Sequence, residues 1–192
     1  VVGYSGGKDS TAVLQLVWEM LSRLPADARK KTVHVISTDT LVENPIVASW
    51  VKESHEKLRF EAKDQDLPIE AHLLAPAVKD TFWVNLIGKG YPAPRHKMRW
   101  CTDRLKIRPS NTFVREVVSE YGEAIMVLGM RKAESSGRAN IMSRYESKAV
   151  RDQLTPSGSL PNCLLFNPID DWTNDDVWLF LMQRKNPWGH TN

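Results

Sequence analysis

Lys8 stands in Ser5-Gly6-Gly7-Lys8-Asp9-Ser10-Thr11, directly after the apolar Val1-Val2-Gly3-Tyr4 and directly before a run with helical apolar spacing. A strand that enters a Gly-rich turn and then a helix makes a cradle for anions. The first helical N–H groups have no partner within the helix, and the helix dipole puts partial positive charge at the same place. Gly6 and Gly7 let the chain bend sharply and let a phosphate approach without a Cβ in the way. Lys8 adds a full charge, and Ser5 and Ser10 add hydroxyl donors. Asp9 is the first candidate for a magnesium contact, since a hard cation prefers carboxylate oxygen, and Asp39 in Thr38-Asp39-Thr40 is the second. Asp39 also reads as an ordinary turn aspartate after a strand.

Two further groups carry possible chemistry. Arg131 and Arg138 flank Glu134-Ser135-Ser136-Gly137 just after Gly129. Guanidinium forks bind phosphate or sulfate oxygens in bidentate fashion, while a surface ion pair with Glu134 is the plainer reading. Cys101 lies among cations in Arg99-Trp100-Cys101-Thr102-Asp103-Arg104-Leu105-Lys106. Such surroundings favour a thiolate, suited to a nucleophile, a sulfur carrier or an iron–sulfur ligand. Cys163 is a weaker candidate ligand, and two cysteines fall short of the four thiolates a four-iron cluster usually takes. The histidines, His34 and His72 included, show no ligand spacing and read as structural.

These residues need elements to hold them. Val13, Val17, Leu21 and Leu24 recur at helical spacing until Pro25, so the cradle opens a first helix. Thr32 to Ser37 reads as a second strand ending at Thr38-Asp39-Thr40. Asn44-Pro45 caps a helix whose apolar face is Ile46, Val47, Trp50, Val51, His55 and Leu58. Leu67 to Leu74 is a third strand and Asp80 to Ile87 a short helix. Ser110 or Asn111 caps a helix ended by Gly122. Ala124 to Leu128 is a fourth strand with Gly129-Met130-Arg131 at its tip, and Cys163 to Ile169 is the fifth. Thr173-Asn174-Asp175-Asp176 opens a last helix that buries Val177, Trp178, Leu181 and Met182. Alternating strands and helices predict a doubly wound α/β domain with a mostly parallel five-stranded sheet and helices on both faces. Its ligand belongs beyond the C-terminal strand ends, where Ser5 to Ser10, Thr38 to Thr40 and Gly129 to Arg138 converge.

A chain of 192 residues supports one such domain, and 42% apolar with 26% charged residues is ordinary for a globular protein. No run approaches the ~20 apolar residues of a membrane span. Two cysteines without a C-x-x-C pair fit a reducing cytoplasm. The start inside a strand and the end at Asn192 suggest a domain truncated at both ends. The net charge of +3 says little, but Lys89, Arg95, Lys97, Arg99, Arg104, Lys106 and Arg108 face one acid, Asp103, with Tyr91 and Trp100 interleaved. That segment suits a nucleic-acid backbone with an aromatic ring stacked on a base; a solvated basic face suits it equally.

The cradle is not the P-loop of kinases and GTPases, because Asp9 and not a hydroxyl residue follows the lysine. Its S-G-G-x-D-S order resembles the PP-loop of ATP pyrophosphatases, which split ATP between the α and β phosphates. With Thr38-Asp39-Thr40, Cys101 with Lys106, Gly129-x-Arg131-x-x-Glu134-Ser135-x-x-Arg138-Ala139 and Pro168-Ile169-Asp170-Asp171-Trp172, the chain resembles the phosphoadenylylsulfate (PAPS) reductase family of the adenine nucleotide α-hydrolase-like superfamily. Asp80 to Arg95 followed by Arg99-Trp100-Cys101-Thr102 looks like the DndC branch, which places sulfur in the DNA backbone. The resemblance implies ATP and Mg2+ at Ser5, Gly6, Gly7, Lys8, Asp9, Ser10, Thr38, Asp39 and Gly129, with Lys8, Asp9, Arg131, Arg138 and Cys101 in catalysis. It further implies a [4Fe-4S] cluster, DNA as substrate, and a cysteine desulfurase and other Dnd-type proteins as partners. The chain departs from cluster-bearing reductases in having Trp100-Cys101 in place of a Cys-Cys pair and in lacking their later C-x-x-C. A PAPS or APS reductase forming sulfite, or a DNA-binding module with an inactive nucleotide fold, are the alternatives.

Overall fold

The computed structural model describes residues 1–95, 98–135, 137, 139, 140, 142 and 153–190. Six strands form one sheet: β1 (Val2–Gly3), β2 (Val33–Thr38), β3 (Ile69–Leu74), β4 (Ala124–Val127), β5 (Thr155–Pro156) and β6 (Cys163–Phe166). Their order is β3-β2-β1-β4-β6-β5. The first five in that order run parallel, and β5 adds an antiparallel edge to β6. The expected five-stranded sheet is therefore six-stranded. The extra strand is two residues long and contains Pro156, so it carries no alternation that a sequence reading can detect.

Strand order reverses between β1 and β4. The strands that follow β1 in sequence lie on one side of it and those after β4 on the other, so the C-terminal ends of β1 and β4 part and leave a crevice. Tyr4 continues the β1 ladder by donating its N–H to Ile36 O at 2.8 Å, and Leu128 continues β4 by donating to Phe166 O at 2.9 Å.

The helices divide between the faces. On one side α1 (Lys8–Arg23), α2 (Pro45–Asp64) and α5 (Asn174–Gln183) enclose the main core, which includes Val2, Val13, Leu14, Val35, Leu58, Ile169, Val177 and Leu181. On the other side α4 (Arg108–Tyr121) packs Val114 into a smaller cluster with Ala124, Leu160 and Cys163. Period-two alternation sorts β2 between them, with Val35 and Ser37 facing α2 and His34, Ile36 and Thr38 facing α4. Trp188, 1% exposed, lies in the main core edge-on to Tyr4 and 5.7 Å from Trp18.

Local signals set several boundaries. Asn44 Oδ1 accepts the Ile46 N–H at 2.9 Å ahead of Pro45, and Thr173 forms a capping box with Asp176. The expected start of α4 at Ser110 or Asn111 is too late. A single helical turn, α3 (Trp100–Thr102), runs through a π-turn at Asp103–Ile107 straight into α4, and Ser110 Oγ donates to Lys106 O within the helix. Asp80 to Ile87 is likewise not one helix; a 3-10 turn covers Val78–Asp80 and a π-turn Val84–Gly88. Two apolar faces are narrower than expected, because Ile46, Val47, Trp178 and Met182 are exposed. No helix among the described residues is long and apolar enough to cross a membrane.

Candidate active site

A cleft of about 490 Å³ opens at the point where β1 and β4 diverge, within the range of small-molecule sites. Its wall includes Ser5, Gly7, Asp9 and Ser10 from the first turn, Thr38 and Asp39 from β2, and Gly129, Met130 and Glu134 after β4. Each of the three polar tips expected to converge contributes to this wall, although Gly6, Lys8 and Thr40 do not line it, and Ser136 and Arg138 of the third tip lie outside the described residues.

The turn after β1 is braced by its own hydroxyls. Ser10 Oγ donates to Gly7 O at 2.8 Å and accepts the Ser5 N–H at 3.2 Å, while Thr11 Oγ1 donates to the same carbonyl at 3.0 Å. Ser10 thus shapes the loop in addition to facing the cleft. Among the described residues no side chain caps α1 at Gly7, so its leading N–H groups lack the usual side-chain acceptor. Gly6 adopts φ +74°, and a Cβ there would lie 2.4 Å from Trp50 Cζ3. Gly129 has no room either, since its Cβ would lie 2.9 Å from the Asp9 carbonyl carbon and oxygen. Contact between the β4 tip and the first turn of α1 therefore depends on glycine at position 129.

Asp9 holds two cations. Its Oδ2 lies 2.9 Å from Lys8 Nζ and its Oδ1 accepts from Arg131 Nε at 2.7 Å. Arg131 is only 3% exposed and also donates through Nη1 to Trp172 O at 3.3 Å. Its guanidinium is committed to Asp9 and to the loop before α5. The reading of Arg131 as a fork for a substrate anion gives way to one in which it positions Asp9. Lys8, with a quarter of its side chain exposed, is folded onto Asp9 and has the length and freedom to swing to a phosphate. Arg138 lies outside the described residues.

Asp39 is a turn aspartate and a cleft residue at once. Its Oδ1 accepts the Leu41 N–H at 2.8 Å, the one side-chain bond it makes among the described residues. Thr38 Oγ1 lies 3.3 Å from Ser110 Oγ, tying β2 to α4. Glu43 and Lys106, both in the cleft wall, form an ion pair at 3.1 Å, and Thr40 Oγ1 donates to the same Glu43 oxygen. Glu43 carried no signal in the sequence, because only folding sets it opposite Lys106.

The cysteines are not brought together. Cys101 is half-buried in α3, ahead of the cleft residues Lys106 and Ser110. Cys163 is 2% exposed at the start of β6, opposite Ala124, at the N-terminal end of the parallel strands and away from the cleft. Burial pushes its thiol pKa up, which disfavours the thiolate a cluster requires. As a partner of Cys101 around one cluster, Cys163 is excluded by its place in the fold.

The basic segment is paired in part, from within by Asp103, which accepts Arg108 Nε at 2.9 Å, and from outside. Asp80, 7% exposed, accepts Arg104 Nη1 at 2.7 Å and Arg108 Nη1 at 3.3 Å. Arg104 also donates to Tyr91 Oη at 2.7 Å and lies over that ring. Trp100 stacks on Phe82 with ring centres 5.5 Å apart and donates Nε1 to Pro92 O. Arg95 and Arg99 are exposed and have no side-chain partner among the described residues. Lys97 lies outside those residues.

The strand order, the divided helices and the Gly-rich turn at the switch point define a doubly wound α/β domain with a cleft at its parallel strand ends. The chain belongs to the phosphoadenosine phosphosulfate reductase domain family, whose model matches residues 1–188. Two uncharacterised proteins of Methanocaldococcus jannaschii are similar to it. One is 26% identical over 98% of this chain and 32% of its own length, the other 30% identical over 93% and 34%. The chain thus spans about a third of those relatives. Among solved structures, PAPS reductase from Candida auris, in a phosphate complex, matches with TM-score 0.50 and 15% identity over 97% of this chain and 75% of that one. The U34-tRNA thiolase NcsA from Methanococcus maripaludis, solved with its [4Fe-4S] cluster, matches with TM-score 0.52 and 18% identity over 94% and 55%. At such identities the likeness concerns the fold.

Proposed function

We propose that this domain cleaves ATP to AMP and pyrophosphate and thereby activates a DNA backbone phosphate for sulfur incorporation. The observation that carries the nucleotide half is the uncapped first turn of α1 beside a cleft of about 490 Å³, with Asp9 in the cleft wall and Lys8 Nζ 2.9 Å from the Asp9 carboxylate. In this reading the leading N–H groups hold the β and γ phosphates, and Lys8 turns from Asp9 onto them. A non-bridging oxygen of the DNA phosphate attacks the α phosphorus, and pyrophosphate leaves with the bonding electron pair. The donors stabilise charge where it develops. Magnesium would be held by Asp39 and by Asp9 Oδ2 once Lys8 has moved, and would neutralise phosphate charge. Arg131 keeps the Asp9 carboxylate in place throughout.

The DNA half rests on the resemblance of Asp80 to Thr102 to the DndC branch and on placement. Lys106 and Ser110 carry the basic, aromatic segment to the cleft wall, and Arg95 and Arg99 are available to phosphates. Cys101, in the same segment, is assigned as sulfur carrier or nucleophile, and any [4Fe-4S] cluster would draw this one thiolate from the described chain. A cysteine desulfurase and other Dnd-type proteins would supply the sulfur. The family match favours a second reading, reduction of a sulfonucleotide to sulfite in the same cleft. The protein is incubated either with ATP, magnesium and DNA or with PAPS or APS and a thiol reductant. Pyrophosphate release stimulated by DNA, with no sulfite, supports the proposal; sulfite without pyrophosphate replaces it by the second reading.

A further inference from the structure

Glu70-Ala71-His72 in β3 places two metal-ligating side chains on one face of the sheet, since alternate residues of a strand share a face. His34 of the neighbouring parallel strand is the register partner of Glu70 and points the same way. Pairing between strands brings His34 to Glu70 and His72, 36 and 38 residues further on, so the sequence announces only the Glu70-x-His72 pair.

His34 Nδ1 and His72 Nε2 are 3.1 Å apart, and Glu70 Oε2 lies 3.6 Å from each. A tetrahedral zinc with Zn–N bonds of about 2.0–2.1 Å separates its ligand atoms by about 3.3–3.4 Å. The three observed separations bracket that edge. A hydrogen bond between the imidazoles would explain one separation but not a carboxylate oxygen equidistant from both rings. Phe113 of α4 packs against both rings, 5.6 Å from His34 and 4.7 Å from His72, and fixes their orientation. His34 has 12% of its side chain exposed, His72 30% and Glu70 59%, so the open side admits a water as fourth ligand.

We infer that His34, Glu70 and His72 form a binding site for a divalent transition-metal ion of the zinc class, clamping the edge strand β3 to β2. The site lies on the α4 side of the sheet and shares no residue with the cleft wall, so it stands independently of the nucleotide chemistry. Burial holds both imidazoles below the usual histidine pKa, which keeps them neutral and able to ligate near pH 7. Glu120 of α4 adds negative charge near His34, while Arg59 of α2, anchored on Ala71 O, adds positive charge near His72. Imidazole and carboxylate together suit zinc, cobalt or nickel better than magnesium or calcium.

The test is titration of the untagged full chain with Zn2+, and with Co2+ for its spectrum, in a non-chelating buffer. Expected are one ion per chain, the visible bands of tetrahedral Co2+ and a raised Tm. Cys101→Ser should leave all three unchanged, which excludes thiolate binding. The pair His34→Gln/His72→Gln should abolish binding. Glu70→Gln, at an exposed position that folding does not require, should weaken it by roughly tenfold or more. Absence of binding to the wild-type chain, or affinity unchanged in Glu70→Gln, would overturn the assignment.

Discussion

Replacing Gly6 by alanine tests whether the cradle is built as described. Two separate penalties arise at this residue. Its φ of +74° lies in the left-handed region, where an L side chain costs about 1–2 kcal/mol. The added Cβ would also stand 2.4 Å from Trp50 Cζ3, 3.0 Å from Cε3 and 3.3 Å from Val51 Cγ2. Forcing a methyl into such a contact typically costs about 1–3 kcal/mol. Gly6→Ala should therefore destabilise by about 2–5 kcal/mol, which for a chain of this length is a fall in Tm of roughly 4–20 °C. A double-mutant cycle separates the terms. Trp50→Leu removes the ring that meets the Cβ most closely, so Gly6→Ala in that background should retain the backbone penalty and the lesser contact with Val51, and the coupling should be about 1–3 kcal/mol. Urea unfolding of the four proteins measures both quantities. A Gly6→Ala chain within about 0.5 kcal/mol of wild type, or no coupling to Trp50, would show that the turn is not packed under the indole and would refute the geometry.

Arg131→Met leaves the Asp9 carboxylate with Lys8 alone. Because Asp9 is partly exposed and retains one cation, the loss should be about 2 kcal/mol, below that of a fully buried pair, and Arg131→Met/Asp9→Asn should cost less than the sum of the single changes in urea unfolding. His55 packs against Ser37, 2.7 Å from its Oγ, and burial lowers its pKa to about 4 from 6.5. Between those values the unfolded chain takes up a proton that the folded one refuses. Stability is therefore full above pH 6.5 and falls by about 3 kcal/mol as pH drops towards 4. Chemical denaturation across that range should show the slope, and His55→Gln should flatten it. Lys8→Ala should abolish pyrophosphate release while leaving DNA affinity, measured by salt titration, largely intact.

What could be read ahead of the structure was local. The Gly-Gly turn after β1, the Asn44-Pro45 start of α2 and the Thr173/Asp176 box of α5 each act within four residues, and each stands where its chemistry places it. The convergence of three strand tips follows from parallel α/β topology, so it too was legible. Everything that depends on pairing across the sheet was not. Asp80 pairs with Arg104 and, beside Asp103, with Arg108 from outside the basic segment, Arg131 turns inward to Asp9, and Cys163 falls at the N-terminal end of its strand, away from the cleft. His34 and His72 look unrelated until β2 and β3 align. Trp188 has no periodic apolar neighbours to mark it as core, and Tyr4 and Trp18 offer it a site only after folding.

The central claim is that the turn at Ser5 to Ser10 grips the triphosphate for cleavage between the α and β phosphorus atoms. Two ATP analogues address it directly, one with methylene in place of the α,β bridging oxygen and one with methylene at the β,γ position, each offered with magnesium and DNA. The account predicts that the β,γ analogue releases the methylene bisphosphonate and leaves its AMP moiety on the DNA phosphate, free AMP appearing only when sulfur or water displaces it, while the α,β analogue binds and is not cleaved. Release of ADP and phosphate from ATP, or of phosphate from the α,β analogue, would contradict it.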